Sequence, residues 1–129
     1  MESEAILSII NRSKQNSDEI IGSPVLILEI DQIDDIEKKE KVKYFYEQTI
    51  TVEVNYTANI LNRVHELSKQ TKIRTLDMFH LSFAENSGAD ILLTTDIKLE
   101  KNCSKLNLNI KVMNPLKYLT EAILDEYNT

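Results

Sequence analysis

The chain has 129 residues, a formal net charge of −6 and a single cysteine. This length suits one domain with its own core, and a lone thiol fits a reducing cytoplasm better than a disulfide-stapled secreted protein. The negative charge disfavours nucleic-acid binding through a basic patch, although a bound cation could reverse the field locally, and the acidic start and short apolar runs argue against a signal peptide or membrane span.

Helical and strand periodicities alternate along the chain, which predicts an α/β fold with a mainly parallel sheet. The predicted elements are a helix over 3–15, a short strand over 19–22, a helix from 24 to about 32, a charged helix or helix pair over 34–48, a strand over 50–54, helices over 56–71 and 76–87, strands over 91–93 and 106–112, and a helix from 115 to about 127. The apolar segment 91–93 is expected at the centre of the sheet, and the alternating segment 106–112 nearer its periphery.

Three isolated acids are placed where helix starts and strand ends would hold them. Glu29 lies one turn into the helix that Ser23-Pro24 would open, since Ser suits the N-cap and Pro the first helical position. Asp77 follows Thr75, a candidate N-cap, so it would lie in the first turn of the next helix. Asp96 ends an apolar strand, and in open α/β sheets such ends line the ligand crevice.

Taken singly, Glu29 and Asp77 favour helix caps or surface carboxylates, whereas Asp96 already favours a functional position. Their joint placement predicts one metal site. Carboxylates and water suit Mg²⁺ or Mn²⁺, which could polarise a phosphodiester and supply a hydroxide nucleophile.

Other polar residues near the three acids are weaker candidates. Two threonines could orient a water or contact phosphate, His80 could share a helix face with Asp77 and donate a hydrogen bond to the site, and three cations could contact an RNA backbone. Each has an ordinary alternative: a polar strand end, a half-buried structural histidine, or a solvated charge. The threonines are Thr94 and Thr95, and the cations are Arg74, Lys98 and Lys101.

The segments 22–30, 75–90, 92–96 and 112–115, in this order and spacing, resemble the PIN-domain nucleases, and most closely the small prokaryotic VapC-like toxins. The resemblance implies a three-layer α/β/α fold around a mainly parallel sheet and a metal-dependent ribonuclease. It makes Glu29, Asp77 and Asp96 the second, third and fourth of four catalytic acids. It also implies a single-stranded or structured RNA substrate, a small antitoxin as partner, and a homodimer.

The chain departs from this family at its start, because the opening strand and the first acid have no counterpart. Met1 resembles an internal methionine. A start assigned too far downstream, a shortened chain and natural decay are the three explanations, and the three intact acids favour truncation over decay. With one ligand fewer, weak or absent cleavage is expected. The rival interpretation is a noncatalytic interaction module, and a signalling receiver fits the order of acids less well.

Overall fold

The computed structural model describes residues 2–128, which form a mixed α/β structure. The helices are α1 (Glu2–Asn16), α2 (Pro24–Asp31), α3 (Ile36–Thr49), α4 (Ala58–Gln70), α5 (Thr75–Asn86), α6 (Ile97–Cys103) and α7 (Pro115–Tyr127), and the strands are β1 (Ile21–Gly22), β2 (Val52–Glu53), β3 (Ile91–Leu93) and β4 (Lys111–Met113). The chain divides into two compact units, which we call the first unit (residues 1–18 and 90–129) and the second unit (residues 19–89).

The second unit is built on the pairing of α4 with α5. Ile60 and Phe83 form a buried cluster with Val25 of α2, and Leu67 and Leu81 are fully buried. Burial of one such side chain contributes roughly 2 kcal/mol relative to leaving it in water. The Ser82 hydroxyl, also fully buried, donates a hydrogen bond to the Ile60 carbonyl at 2.9 Å, so its burial leaves no unpaired donor.

Helix α5 ends at Asn86, one residue before its predicted end, and Gly88 follows it. Gly88 has a φ of +76°, its N–H donates to the Glu85 carbonyl, and the N–H of Ala89 donates to the Ala84 carbonyl. This pair of bonds is the Schellman arrangement, in which a glycine supplies the left-handed residue after the helix.

The two strands of the second unit, β1 and β2, run parallel, with Ile21 opposite Val52. Gly22 allows Tyr46 of α3 to lie against β1, because a Cβ added to Gly22 would lie 2.8 Å from Cζ of Tyr46 and 2.9 Å from Cγ2 of Ile50. The absence of a side chain at Gly22 therefore permits the close packing of α3 against β1.

The first unit pairs α1 with α7 and β3 with β4. Ala5 and Ile9 of α1 are buried, and Arg12 forms an ion pair with Glu126 of α7. At the start of α7, the Asn114 side chain accepts from the Leu116 N–H at 2.8 Å. Pro115 follows at the first helical position, as the sequence predicts.

The strands differ most from the sequence predictions. Strand β3 has the predicted bounds, whereas β1, β2 and β4 are shorter than predicted. Segment 106–112 contributes only its last two residues to β4, because the chain is still turning out of α6 at Leu106, whose N–H donates to the Cys103 carbonyl. Helix α6 itself was not predicted. Within residues 2–128, β3 pairs only with β4, so the expected central position of 91–93 is wrong: a central strand needs a partner on each edge.

The remaining predictions of elements are confirmed in type, with ends shifted by a few residues. Segment 34–48 forms one helix, α3, and its N-cap Asp35 accepts from the N–H groups of Glu37 and Lys38. Among the described residues, no helix combines the length and the apolar character needed to cross a bilayer.

Candidate metal centre

Glu29 is held by helix α2, whose start is defined by Ser23 and Pro24. The buried Ser23 hydroxyl accepts from the Leu26 N–H at 3.4 Å, and Pro24 occupies the first helical turn, as predicted. Six residues into the helix, the Glu29 carboxylate remains partly exposed.

Asp77 lies in the first turn of α5, also as predicted, and is buried. The residue at the N-cap position is Arg74, one residue earlier than the expected Thr75, which is already helical. Arg74 makes two hydrogen bonds to the Asp77 carboxylate: Nε donates to Oδ2 at 3.2 Å and Nη2 to Oδ1 at 3.1 Å. A guanidinium and a carboxylate match geometrically in this forked arrangement, which makes it one of the stronger polar contacts.

The same guanidinium reaches the second acid. Nη2 of Arg74 lies 3.8 Å from Oε2 of Glu29, within ion-pair range. Two carboxylates carried by different helices, α2 and α5, therefore share one cation. Without a cation their mutual repulsion would oppose this placement, so Arg74 is the residue that makes the pairing of Glu29 with Asp77 tolerable.

His80 completes this group, which we call the Arg74 cluster (Glu29, Arg74, Asp77 and His80). It lies one turn after Asp77 on α5, its side chain is largely buried, and its Nε2 pairs with Oε1 of Glu29. Each oxygen of Glu29 thus has its own partner. His80 is thus a largely buried histidine that also contacts a candidate site acid, Glu29 rather than Asp77.

Asp96 belongs to the first unit, where it caps helix α6. Its carboxylate accepts from the Leu99 N–H at 3.1 Å, while its own N–H donates to the Thr94 hydroxyl at 3.1 Å. Thr94 is half-buried, whereas the other candidates around it, Thr95, Lys98 and Lys101, are exposed. The convergence of Asp96 with Glu29 and Asp77 stays a prediction.

The two carboxylates of the Arg74 cluster are donors of the kind that Mg²⁺ and Mn²⁺ bind when water completes the coordination. Within residues 2–128, no group of three or more His, Cys, Asp or Glu residues is arranged so that it could hold a metal ion. Within the second unit, Glu29 and Asp77 are the two carboxylates that contact one cation, the guanidinium of Arg74.

Sequence reasoning treated Arg74 as a weak RNA contact and did not detect its link to the acids. One half of that link has a local signal, because residues three apart on a helix face each other and Arg74 precedes Asp77 by three. The other half, from Arg74 to Glu29, joins residues 45 positions apart and has none. The link from Glu29 to His80 is equally nonlocal.

A second arginine–carboxylate pair involves Glu85, near the C-terminal end of α5. Nε and Nη2 of Arg63 donate to the two oxygens of Glu85 at 2.8 and 3.3 Å, and Nη1 donates to Glu66 at 3.0 Å. The hydrogen bond to Glu85 raises the pKa of Arg63, against the opposing effect of burial. This pair joins α4 to α5.

Comparison with known proteins adds no family assignment. No protein-family model matches the chain, and no curated protein matches it.

Proposed function

We propose that the chain is a PIN-type endoribonuclease that depends on Mg²⁺ or Mn²⁺. The observation that carries this proposal is the sharing of one guanidinium by Glu29 and buried Asp77, which lie on different helices. Two carboxylates that contact one cation are more typical of a cation-binding site than of solvated surface residues. The sequence resemblance independently assigns these two residues to metal binding.

In this proposal, the side chains hold and orient and none acts as a nucleophile. Glu29 and Asp77 would hold the divalent ion, and His80 would fix the orientation of the Glu29 carboxylate through their contact. A bound divalent ion polarises a phosphodiester and lowers the pKa of a coordinated water. Asp96 is assigned to the same chemistry by the resemblance, with Thr94 holding its backbone N–H.

The biological setting belongs to the same proposal: a cytoplasmic toxin that cleaves single-stranded or structured RNA and is restrained by a small antitoxin. A homodimer is part of it. Within the described residues, each of the two sheets has two strands, so each strand has an unpaired edge, and open edges promote association. We expect light scattering to give about twice the chain mass of 14.9 kDa, and a monomer at high concentration would contradict the dimer.

An RNA cleavage assay tests the activity. End-labelled single-stranded RNAs of varied sequence are incubated with the protein and Mn²⁺ or Mg²⁺, or with EDTA. We expect slow, metal-dependent cleavage that Asp77→Asn and Asp96→Asn abolish. Asp31→Asn is the matched control, because it removes an exposed carboxylate two positions after Glu29. Cleavage that persists in EDTA, or in Asp77→Asn, would contradict the proposal.

A noncatalytic interaction module is the second candidate, and a specific observation favours it. Each of the three acids already has a structural contact: Glu29 and Asp77 pair with Arg74, and Asp96 caps α6. Protein that binds Mn²⁺ but cuts none of the RNAs would favour this module over the ribonuclease.

A further inference from the structure

We infer that Arg74 is a built-in counterion that a divalent metal must displace, so that this residue sets the metal affinity of the site. The inference rests on the proposed function, since it takes Glu29 and Asp77 as metal ligands. What it adds is a competition between the chain's own cation and the metal for the same carboxylate oxygens.

The first step is occupancy of the oxygens. Arg74 engages both oxygens of Asp77, at 3.1 and 3.2 Å, and lies 3.8 Å from Oε2 of Glu29. A metal ion bound to these carboxylates would stand a few ångströms from a guanidinium of the same sign, and that repulsion is strong because the Asp77 side chain is largely shielded from water. Metal and guanidinium therefore exclude each other.

The second step is the freedom of Arg74 to leave. Its side chain is 65% exposed, although the carboxylate that it neutralises is only 11% exposed. Arg74 is the N-cap residue of α5, and its backbone carbonyl accepts a hydrogen bond from the Met78 N–H at 3.1 Å. Rotation of the side chain into water leaves this backbone bond intact but breaks the forked contact with Asp77, so metal binding must outweigh the loss of that contact.

The third step concerns where the guanidinium goes. Once displaced, Arg74 remains attached beside the metal ligands and becomes available to an RNA phosphate, which a guanidinium binds in the same forked geometry as a carboxylate. Metal loading and exposure of a phosphate-binding group are then one event. The net charge of −6 makes such a local cation useful for an anionic substrate.

Calorimetric titration with Mn²⁺ tests the competition without any activity measurement. Arg74→Gln removes the cation, and we expect its Kd for Mn²⁺ to be about tenfold lower than that of the wild type. Arg74→Lys keeps the charge but cannot make two parallel hydrogen bonds to Asp77, and we expect its Kd for Mn²⁺ to lie between those of the wild type and Arg74→Gln. Lys72→Gln is the control: it removes the same charge from an exposed residue for which the described structure shows no ion pair, and its Kd should change by less than about twofold.

Thermal unfolding supplies a second readout on the same proteins. In EDTA, Arg74→Gln should melt about 4 °C lower than the wild type, because Asp77 and Glu29 lose their counterion. Saturating Mn²⁺ should raise its Tm by more than it raises that of the wild type.

The outcomes separate this inference from the proposed function. Equal or weaker Mn²⁺ binding by Arg74→Gln, with normal binding by the wild type, would overturn the counterion and leave the metal centre standing. Absence of Mn²⁺ binding in the wild type and in both Arg74 variants would overturn the metal centre, and the counterion with it. If Arg74→Gln does not fold, Arg74→Lys decides, since tighter binding than the wild type is still required.

Discussion

Helix α5 bears a carboxylate near each end, and an arginine pairs with each, but the two pairs are built differently. Arg63 projects from the middle of α4 with a side chain only 20% exposed, and its partner Glu85 is 7% exposed. Arg74 lies in the connection before α5, is 65% exposed, and is shared between Asp77 and Glu29. The same residue types thus form a fixed link between helices at one end and a displaceable cation at the other.

Burial explains the difference. A shielded arginine and carboxylate have given up their hydration, so removing one leaves the other without a partner in a poor solvent. Glu85 raises the pKa of Arg63. The stability that this shift contributes is present below the ordinary arginine pKa and is lost only as the pH rises through the higher folded-state pKa. Across the neutral range, the Arg63 pair therefore behaves as a constant contribution to folding.

The largest effect is expected at the Arg74 end, on metal binding. Asp77→Asn should weaken Mn²⁺ binding at least about 100-fold, because it removes the best-shielded carboxylate of the cluster. Calorimetric titration measures this, with Asp31→Asn as the control that changes the same net charge at an exposed site. A Kd that changes equally in both variants would mean that only the overall charge matters.

At the Arg63 end, the large effect should be on folding. Glu85→Gln should lower the free energy of unfolding by about 2 kcal/mol, because Arg63 would keep its charge in a largely buried position. Glu66→Gln removes the other partner of the same guanidinium, whose side chain is 62% exposed, and should cost less than about 0.5 kcal/mol. Urea unfolding measures both. Equal losses would show that burial does not distinguish these partners.

Tyr46 carries a buried polar group that, unlike the two arginines, is uncharged at neutral pH. Its hydroxyl is buried and forms no well-aligned hydrogen bond among the described residues. Burial raises the pKa of Tyr46, and Glu53 raises it further through its charge and through a hydrogen-bonding contact with the hydroxyl. The folded state therefore favours the protonated form, and stability should fall as the pH rises above 10.

Tyr46→Phe should remove that alkaline loss and, at neutral pH, leave the free energy of unfolding unchanged or raise it by up to about 1 kcal/mol. Urea unfolding of both proteins from neutral pH to pH 11 measures the difference. An alkaline loss of the same size in Tyr46→Phe would assign it to other groups.

Local chemistry explains which parts of the structure the sequence predicts. Ser23-Pro24 opens α2, Gly88 closes α5, and Asp77 falls in a first turn, because each depends on neighbours a few residues away. Strand lengths are less predictable, because parallel partners such as Leu92 and Val112 are far apart in sequence. The length of each strand is therefore set by tertiary pairing. The Arg74 cluster divides in the same way, with a local Arg74–Asp77 contact and nonlocal contacts to Glu29.

Helix α6 was missed for a related reason. It has only seven residues, which is too short for a clear helical pattern. Its N-cap, Asp96, is a preferred capping residue, but its position after an apolar strand also fits a metal ligand. The structure shows that the carboxylate has a capping role. Whether it has a second role is what Asp96→Asn tests.

A crystal structure of the protein grown with Mn²⁺ tests the central claim most directly. The account predicts an anomalous scattering peak within about 2.0–2.3 Å of carboxylate oxygens of both Glu29 and Asp77, with the Arg74 side chain rotated away from them. Manganese bound at other residues, or absent while Arg74 still pairs with Asp77, would contradict both the metal centre and the counterion.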